Sequence, residues 1–571
     1  MAERHPDEKG YDLEERKREA ALGANYKWIA LSNTTLGVLM ATIDSSILII
    51  SLPAIFNGLG VNPLTTGNTV LLLWLIMGYV IMSSIVVVTI GRLSDMFGRV
   101  RLYNIGFAIF AVGSTMLYVV SYTLTGTTAV LMLILFRLVQ GFGGGFLFAN
   151  ATAILVDAFP QNQRGTAMGI NQIAAIVGGV LGLIIGGILA SIDWHLIFLI
   201  SVPVGVIGAL WSYLALREIA TIKKDQKIDV LGNVTFAIAL SAILLSMTYA
   251  LVPYGTNGIG WSSPYVIAGL IAGFAMIAAF IFIELKSEDP MFDLRLFKIR
   301  AFAAGMLSLF LAGIARGGLQ FMLIIWLQGI WLPLHGVSFE QTPLQAGLDM
   351  IPLFLGFLVM GPVAGHLSDR YGARLFSTLG MLINVIGFVL LAALPANFNY
   401  VTFGLIIFGL GMGQGMFAAP NTVSVMNSVP PEKRGSTSGM RATFFNMSFM
   451  FSIIIFFTLL TIGFGAALPD ALYSGLVSQG VPASTASSIS MISPTSTLFA
   501  ALLGYNPMKV LLPENVTQHL PESNLTTLTG SHFFPSLISQ PFIDGMHIVM
   551  AIAALLALVA AIASALRGKQ N

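Results

Sequence analysis

The sequence predicts an all-α polytopic membrane protein with fourteen spanning helices, and three observations carry that reading. Hydrophobic residues make up 56% of the 571 residues and charged residues only 9%, where a soluble domain carries roughly 25% charge. Apolar stretches near the ~20 residues needed to cross a bilayer recur along the chain. Charge is sorted loop by loop rather than spread evenly. The mean hydropathy is +0.85. The net charge of +2 says little, because its components are segregated. Cysteine is absent, which excludes disulfides, thiolate metal sites and thiol nucleophiles and leaves the redox compartment open.

Residues 1–27 mix basic side chains such as Arg16, Lys17 and Arg18 with acidic ones. No short apolar core with a cleavage site follows, so this is a cytosolic tail and not a secretory signal. Asp12 with Arg16 and Glu14 with Arg18 are spaced to support a short solvated helix. The predicted spans lie near 31–53, 69–91, 102–122, 129–150, 166–190, 196–216, 229–251, 265–284, 302–328, 346–366, 375–394, 401–425, 440–466 and 542–566. The stretch 486–504 is apolar only in part, contains Pro494, and is assigned to a loop.

Charge tests that count. With a cytosolic N-terminus, alternate loops should be rich in Lys and Arg. Of 28 such residues only Arg137, Arg316 and Lys509 fall outside the predicted cytosolic set, leaving 25 on one side. A fifteenth span at 486–504 would put Arg567 and Lys569 outside, against the trend. Residues 217–228 form a basic linker. Residues 285–300 mix Phe and Leu with Arg and Lys, as suits a segment on the inner membrane surface. The connection 467–541 is the only long external one and holds sequons at Asn515 and Asn524.

A duplication organises the chain. Gly91, Asp95 and Gly98 recur as Gly365, Asp369 and Gly372, 274 residues on, and Arg374 follows the second set as Arg99 and Arg101 follow the first. Gly141, Gly143, Pro160 and Arg164-Gly165 recur as Gly411, Gly413, Pro430 and Arg434-Gly435, 270 residues on. Each half therefore holds six spans, and two more are inserted between them. The expected division is a tail at 1–27, an N-terminal bundle at 28–216, a linker with the inserted pair at 217–300, and a C-terminal bundle at 301–571 that includes 467–541.

The loop Gly91-Arg-Leu-Ser-Asp95-Met-Phe-Gly98-Arg99-Val-Arg101 resembles the signature between the second and third helices of the major facilitator superfamily. Leu133-x-x-x-Arg137-x-x-Gln140-Gly141 resembles its fourth-helix motif. The run from Asp44 to Pro53, with Trp74-x-x-x-Gly78-Tyr79, resembles the fourteen-helix drug:proton antiporters of the QacA/EmrB type, although Ser46 and Ile49 depart from that pattern. The resemblance implies the major facilitator fold, two pseudo-symmetric six-helix bundles plus two inserted helices.

Asp44 lies within the first span, where an ionised carboxylate costs at least ~2.5 kcal/mol at the helix centre. It either carries a proton, which desolvation favours, or it is permanently ionised and paired. Arg137 cannot lose its proton and needs a partner, for which Asp44 is one candidate. The resemblance implies proton coupling for Arg137, whose repeat counterpart is Ile407. Arg316 falls at the repeat position of Asp44 under the mean offset of 272. It is either one end of a bridge across the cavity or an unrelated cavity-lining charge.

Gly178, Gly182 and Gly186, with Gly179 and Gly187 beside them, form a stripe that permits close helix packing. In position it resembles the family's antiporter motif, with Leu183 in place of Pro. Gly91, Asp95, Gly98 and Arg99, with Gly365, Asp369 and Gly372, form either a conformational latch or a pair of static turns. Polar cavity candidates are Asn33, Gln140, Asn150, Asn171, Gln172, Gln320, Gln328, Gln414, Asn421 and Asn446.

No metal cluster, catalytic triad or phosphate loop is found, so the sequence implies no cofactor, no nucleic acid and no enzyme. It implies a gradient-driven transporter of the plasma or inner membrane. The expected activity is proton-coupled export of small amphipathic or cationic compounds by a monomer. A symporter, a narrow metabolite exporter and a non-transporting receptor are the rivals. The cysteine-free background tests the topology: an impermeant thiol reagent outside intact cells is expected to label Ser478→Cys and not Gln570→Cys. Outside labelling of Gln570→Cys would invert the assignment.

Overall fold

The computed structural model describes residue 23, residues 25–62, 67–160, 163–219, 229–255 and 259–287, residue 290, and residues 292–430 and 433–568; the side chains of residues 69, 88, 92, 95, 164–166, 369, 434–436 and 438 are not described. Among the described residues, fourteen helices are long and apolar enough to cross a membrane. They begin with α1 (Tyr26–Leu59), α2 (Asn68–Phe97), α3 (Arg99–Thr123), α4 (Gly126–Ala158), α5 (Arg164–Ile192) and α6 (Leu196–Ala215). The inserted pair follows, α7 (Val230–Tyr249) and α8 (Pro264–Lys286). The second half holds α9 (Arg300–Leu334), α10 (Thr342–Ser368), α11 (Ala373–Ala392), α12 (Tyr400–Asn427) and α13 (Arg434–Ser478). Short helices α14 (Ala483–Ser490), α15 (Pro494–Leu502) and α16 (Glu522–Thr529) precede the last membrane helix, α17 (Phe533–Ala565). Residues 1–22 and 24 of the N-terminal tail and residues 220–228 of the linker lie outside the described residues.

Each predicted span coincides with one helix, but α13 and α17 run well past the predicted ends at 466 and 542. Pro469 and Pro541 lie inside them, where the missing N–H would ordinarily favour a break. Packing overrides this. Leu468, Leu472 and Leu476 of α13 are fully buried at four-residue steps, as are Phe534 and Ile538 of α17 within 2%. The stretch 486–504, expected as loop, contributes most of α14 and all of α15. Thr495 to Leu502 are all buried, yet the nine residues of α15 span only ~14 Å, under half of a ~30 Å hydrocarbon core.

The two ends of the bundle differ. One, the basic face, carries the start of α3 and the end of α6; the far face carries α14 to α16. One large buried cluster joins the two halves toward the far face, running from Ile47, Leu52, Phe56 and Leu183 to Trp326, Phe457 and Phe499. Toward the basic face the N-terminal half has a core of its own, built on Tyr103, Phe107, Phe110 and Leu147. Contacts between the halves are thus documented at the far face, where this cluster runs from one to the other.

Glycine makes the far-face closure possible. On one side of α5, a Cβ on Gly182 would sit 2.5 Å from the Ile43 carbonyl oxygen of α1. On its other side, a Cβ on Gly187 would sit 2.5 Å from Leu344 Cα of α10, in the opposite half. Gln328 Nε2 also reaches across, donating to the Ile50 carbonyl at 3.5 Å. Gly187→Ala is therefore expected to push the halves apart at the far face. Gly182→Ala should instead strain the N-terminal half alone, by ~1–3 kcal/mol of overpacking. Labelling of Asn171→Cys from the basic side is the readout. It should slow in Gly187→Ala and stay unchanged in Gly182→Ala, and equal rates in both would refute the gate.

Candidate functional site

A buried polar knot lies inside the N-terminal half. Asp44 of α1 and Arg137 of α4 form an ion pair, Nη1 to Oδ2, at 2.5 Å. Both residues are 1% exposed. Gln140, one turn along α4, accepts from the same Nη1 at 2.5 Å and donates its Nε2 to Asp44 Oδ1 at 2.7 Å. That amide also donates to Ser114 Oγ of α3 at 2.8 Å. Ser201 Oγ of α6 donates to Asp44 Oδ1 at 3.4 Å. Arg137 lies over the Tyr79 ring of α2, 4.7 Å from its centroid. Its Nε is buried without a partner. The knot therefore gathers side chains from α1, α2, α3, α4 and α6.

Close backbone approach builds it. A Cβ on Gly113 of α3 would meet the Gln140 backbone nitrogen at 3.0 Å, and one on Gly141 of α4 would meet the Tyr79 carbonyl at 2.5 Å. Without these two contacts α2 and α3 could not come close enough for Tyr79 and Ser114 to reach α4.

The sequence candidates divide by exposure. Asn33, Gln140, Asn150, Gln328 and Asn421 are 0% exposed and Gln414 is 7% exposed. Several of these tie helices together: Asn33 Nδ2 donates to the Gly208 carbonyl at 3.4 Å, and Asn421 Nδ2 to the Gly305 carbonyl at 3.4 Å. Asn150 Nδ2 bonds only to its own helix, at Phe146 O. Asn171, Gln172, Arg316, Gln320 and Asn446 are half-buried and keep accessible surface. Arg316 does not bridge to Asp44, whose partners are Arg137, Gln140 and Ser201. Its guanidinium lies 5.8 Å from the Phe357 ring centroid of α10. Ile407, in Arg137's repeat position, is fully buried.

The glycine stripe has two faces. Gly178, Gly182 and Gly186 abut α1, while Gly179 and Gly187 face α10. In the basic-face loops, Gly98 and Gly372 adopt φ of 101° and 89°, which glycine reaches without steric cost. The side chains of Asp95 and Asp369 lie outside the described residues. Arg99 Nη1 pairs with Asp157 Oδ2 of α4 at 2.7 Å. A Cβ on Gly91 would meet nothing within 4 Å, and one on Gly365 would meet the Ala419 methyl at 3.7 Å.

Sequence reasoning missed Ser114, Ser201 and Glu218. The two serines resemble many others in apolar helices. Glu218 follows α6 and caps α3, accepting from the Arg99 and Val100 backbone N–H groups at 3.0 Å each. An anion there suits the positive end of the helix dipole.

Residues 34–229 and 229–453 match the Major Facilitator Superfamily. The riboflavin transporter RibZ of Clostridioides difficile (strain 630) is 31% identical over 434 residues, 75% of this chain and 87% of its own. Multidrug resistance protein 3 of Bacillus subtilis (strain 168) is 26% identical over 79% of this chain and 83% of its own. Among solved structures, a bacterial homolog of the human lysosomal transporter Spinster, inward-facing and unoccupied, covers 95% of this chain and 98% of its own. Its TM-score is 0.55 at 16% identity, a likeness of fold. With both halves matched by the family model, over the duplicated helices the structure shows, the chain belongs to the major facilitator superfamily.

Proposed function

We propose that this transporter exports small amphipathic compounds in exchange for protons, by rocking its two halves about a cavity at mid-membrane depth. The observation that carries the reading is the sealed knot of Asp44, Arg137 and Gln140. In this reading the basic face is cytosolic, the membrane is the plasma or inner membrane, and the structure is open inward. The ionised Asp44 is neutralised by Arg137. When the halves rock outward, a proton reaching Asp44 Oδ2 removes that charge and leaves Arg137 Nη1 to Gln140 alone. The grip of α1 on α4 then weakens. On the return, the pair re-forms and the proton leaves toward the cytosol. A proton shifts the equilibrium only by its different affinity for the two states, and opening or closing this pair supplies that difference.

A narrow-specificity metabolite exporter is the second reading, and likeness to a riboflavin transporter favours it. A non-transporting receptor would have no need to hold a buried charge pair.

Purified protein in proteoliposomes, with an imposed pH gradient and a panel of lipophilic dyes, tests the proposal. Gradient-driven export is expected in the parent and absent in Asp44→Asn. A well-folded Asp44→Asn protein that still couples export to the gradient would show that the proton rides elsewhere. Stability supplies an independent check. Asp44→Asn leaves Arg137 buried without its counter-charge, a loss of ~3–5 kcal/mol for a well-buried pair. Adding Arg137→Gln should recover much of it without restoring coupling. Thermal unfolding in detergent reads the first effect, and an equally unstable double variant would refute the pairing account.

A further inference from the structure

The two halves treat their mid-helix charges differently. Asp44 and Arg137 neutralise each other inside the N-terminal bundle. Arg316 stands in the middle of α9, half-buried and retaining accessible surface. Among the described residues no Asp or Glu forms an ion pair with it. Its recorded interaction is with the face of Phe357, which leaves the N–H donors on the guanidinium edge available.

Its surroundings suit a ligand with two kinds of surface. Phe310, Gly313 and Gln320 share its partly exposed stripe on α9 at three- and four-residue steps. Phe310 makes edge contacts with Phe444 and Phe451 of α13, at centroid distances of 5.9 and 6.1 Å. Beyond Gln320 the accessible surface ends, since every residue from Phe321 to Ile330 is buried. The stripe is thus an aromatic wall beside one uncompensated cation, just below the far-face closure.

We propose that Arg316 is the recognition cation of the cavity and that the cargo is an amphipathic organic anion: a carboxylate, sulfonate or phosphate on an aromatic body. The anionic head takes the guanidinium edge, where two oxygens match two N–H donors. The ring system lies along the phenylalanine wall. An anion also supplies the counter-charge that a guanidinium at this depth needs. A cationic cargo meets repulsion from Arg316 and finds Asp44 sealed. The depth of Arg316 separates this site from lipid headgroups at the membrane surface.

The inference rests on the export reading only for the direction of transport, so binding and transport test them separately. Fluorescein, an anion, and rhodamine 123, a cation, share a xanthene body. Their binding to purified protein in a neutral detergent, followed by fluorescence polarisation, needs no gradient. The parent is expected to bind fluorescein more tightly than rhodamine 123 by at least about tenfold, the scale of one charge-assisted hydrogen bond. Arg316→Gln should erase that preference and Arg316→Lys keep part of it. No ion pair is broken by either change, and gel filtration confirms that the variants are monodisperse. If Arg316→Gln fails that check, Arg316→Lys carries the comparison. The inference is overturned if the parent fails to bind fluorescein or prefers rhodamine 123. It is equally overturned if monodisperse Arg316 variants bind fluorescein as the parent does. In everted proteoliposomes, selective fluorescein binding without gradient-driven uptake would overturn proton antiport and leave the role of Arg316 standing.

Discussion

The ion pair between Asp44 and Arg137 is the constraint around which the N-terminal half is arranged. Taking two charges out of water costs several kcal/mol per ion, and only good geometry with further hydrogen bonds offsets it. The half meets that demand from every direction. Gln140 bridges both partners, Ser114 and Ser201 extend the network, and Tyr79 places its ring under the guanidinium. Gly113 and Gly141 let α3 and α2 approach closely enough for this to happen. Packing and polarity here are one design, and neither could change alone.

The C-terminal half repeats the topology without repeating the chemistry. Where the first half has Arg137, the second has the fully buried Ile407. Its α9 is held at mid-length by hydrogen bonding instead. The Gly318 N–H donates to Ser452 Oγ at 2.6 Å, and that hydroxyl donates to the Ile314 carbonyl. Backbone groups freed at this irregular turn are thereby satisfied inside the bundle, as the absence of water in a bilayer requires. What duplication preserved is the way helices pack. What diverged is where charge resides.

Much of this was legible in the sequence, for physical reasons. Span positions follow from hydropathy because lipid demands apolar surface, and the two halves follow from repeated loop motifs. Asp44 and Arg137 were conspicuous because charge within an apolar run is rare. Their pairing stayed open, since 93 residues separate them and only helix crossing decides contact. The split between sealed Asn33, Asn150 and Asn421 and half-buried Gln320 and Asn446 was invisible. Each reads as an amide in an apolar helix, and which way it points depends on tertiary rotation. The lengths of α13 and α17 were hidden because hydropathy reports the membrane's thickness, not where a helical hairpin beyond it ends.

Glu218 has a mechanical consequence. Its carboxylate pins the chain leaving α6 to the start of α3. Farther on, Asp293 Oδ2 accepts from Lys433 at the start of α13, at 2.7 Å. The segment between these two anchors, with α7 and α8 inside it, is fastened to the N-terminal half at one end and to the C-terminal half at the other. Any displacement between the two halves at the basic face is therefore also a displacement between these two anchors. The inserted pair is tied in between as well, Thr248 Oγ1 to Met77 Sδ of α2 and Trp261 Nε1 to Thr458 Oγ1 of α13, so the segment stitches one half to the other along its length.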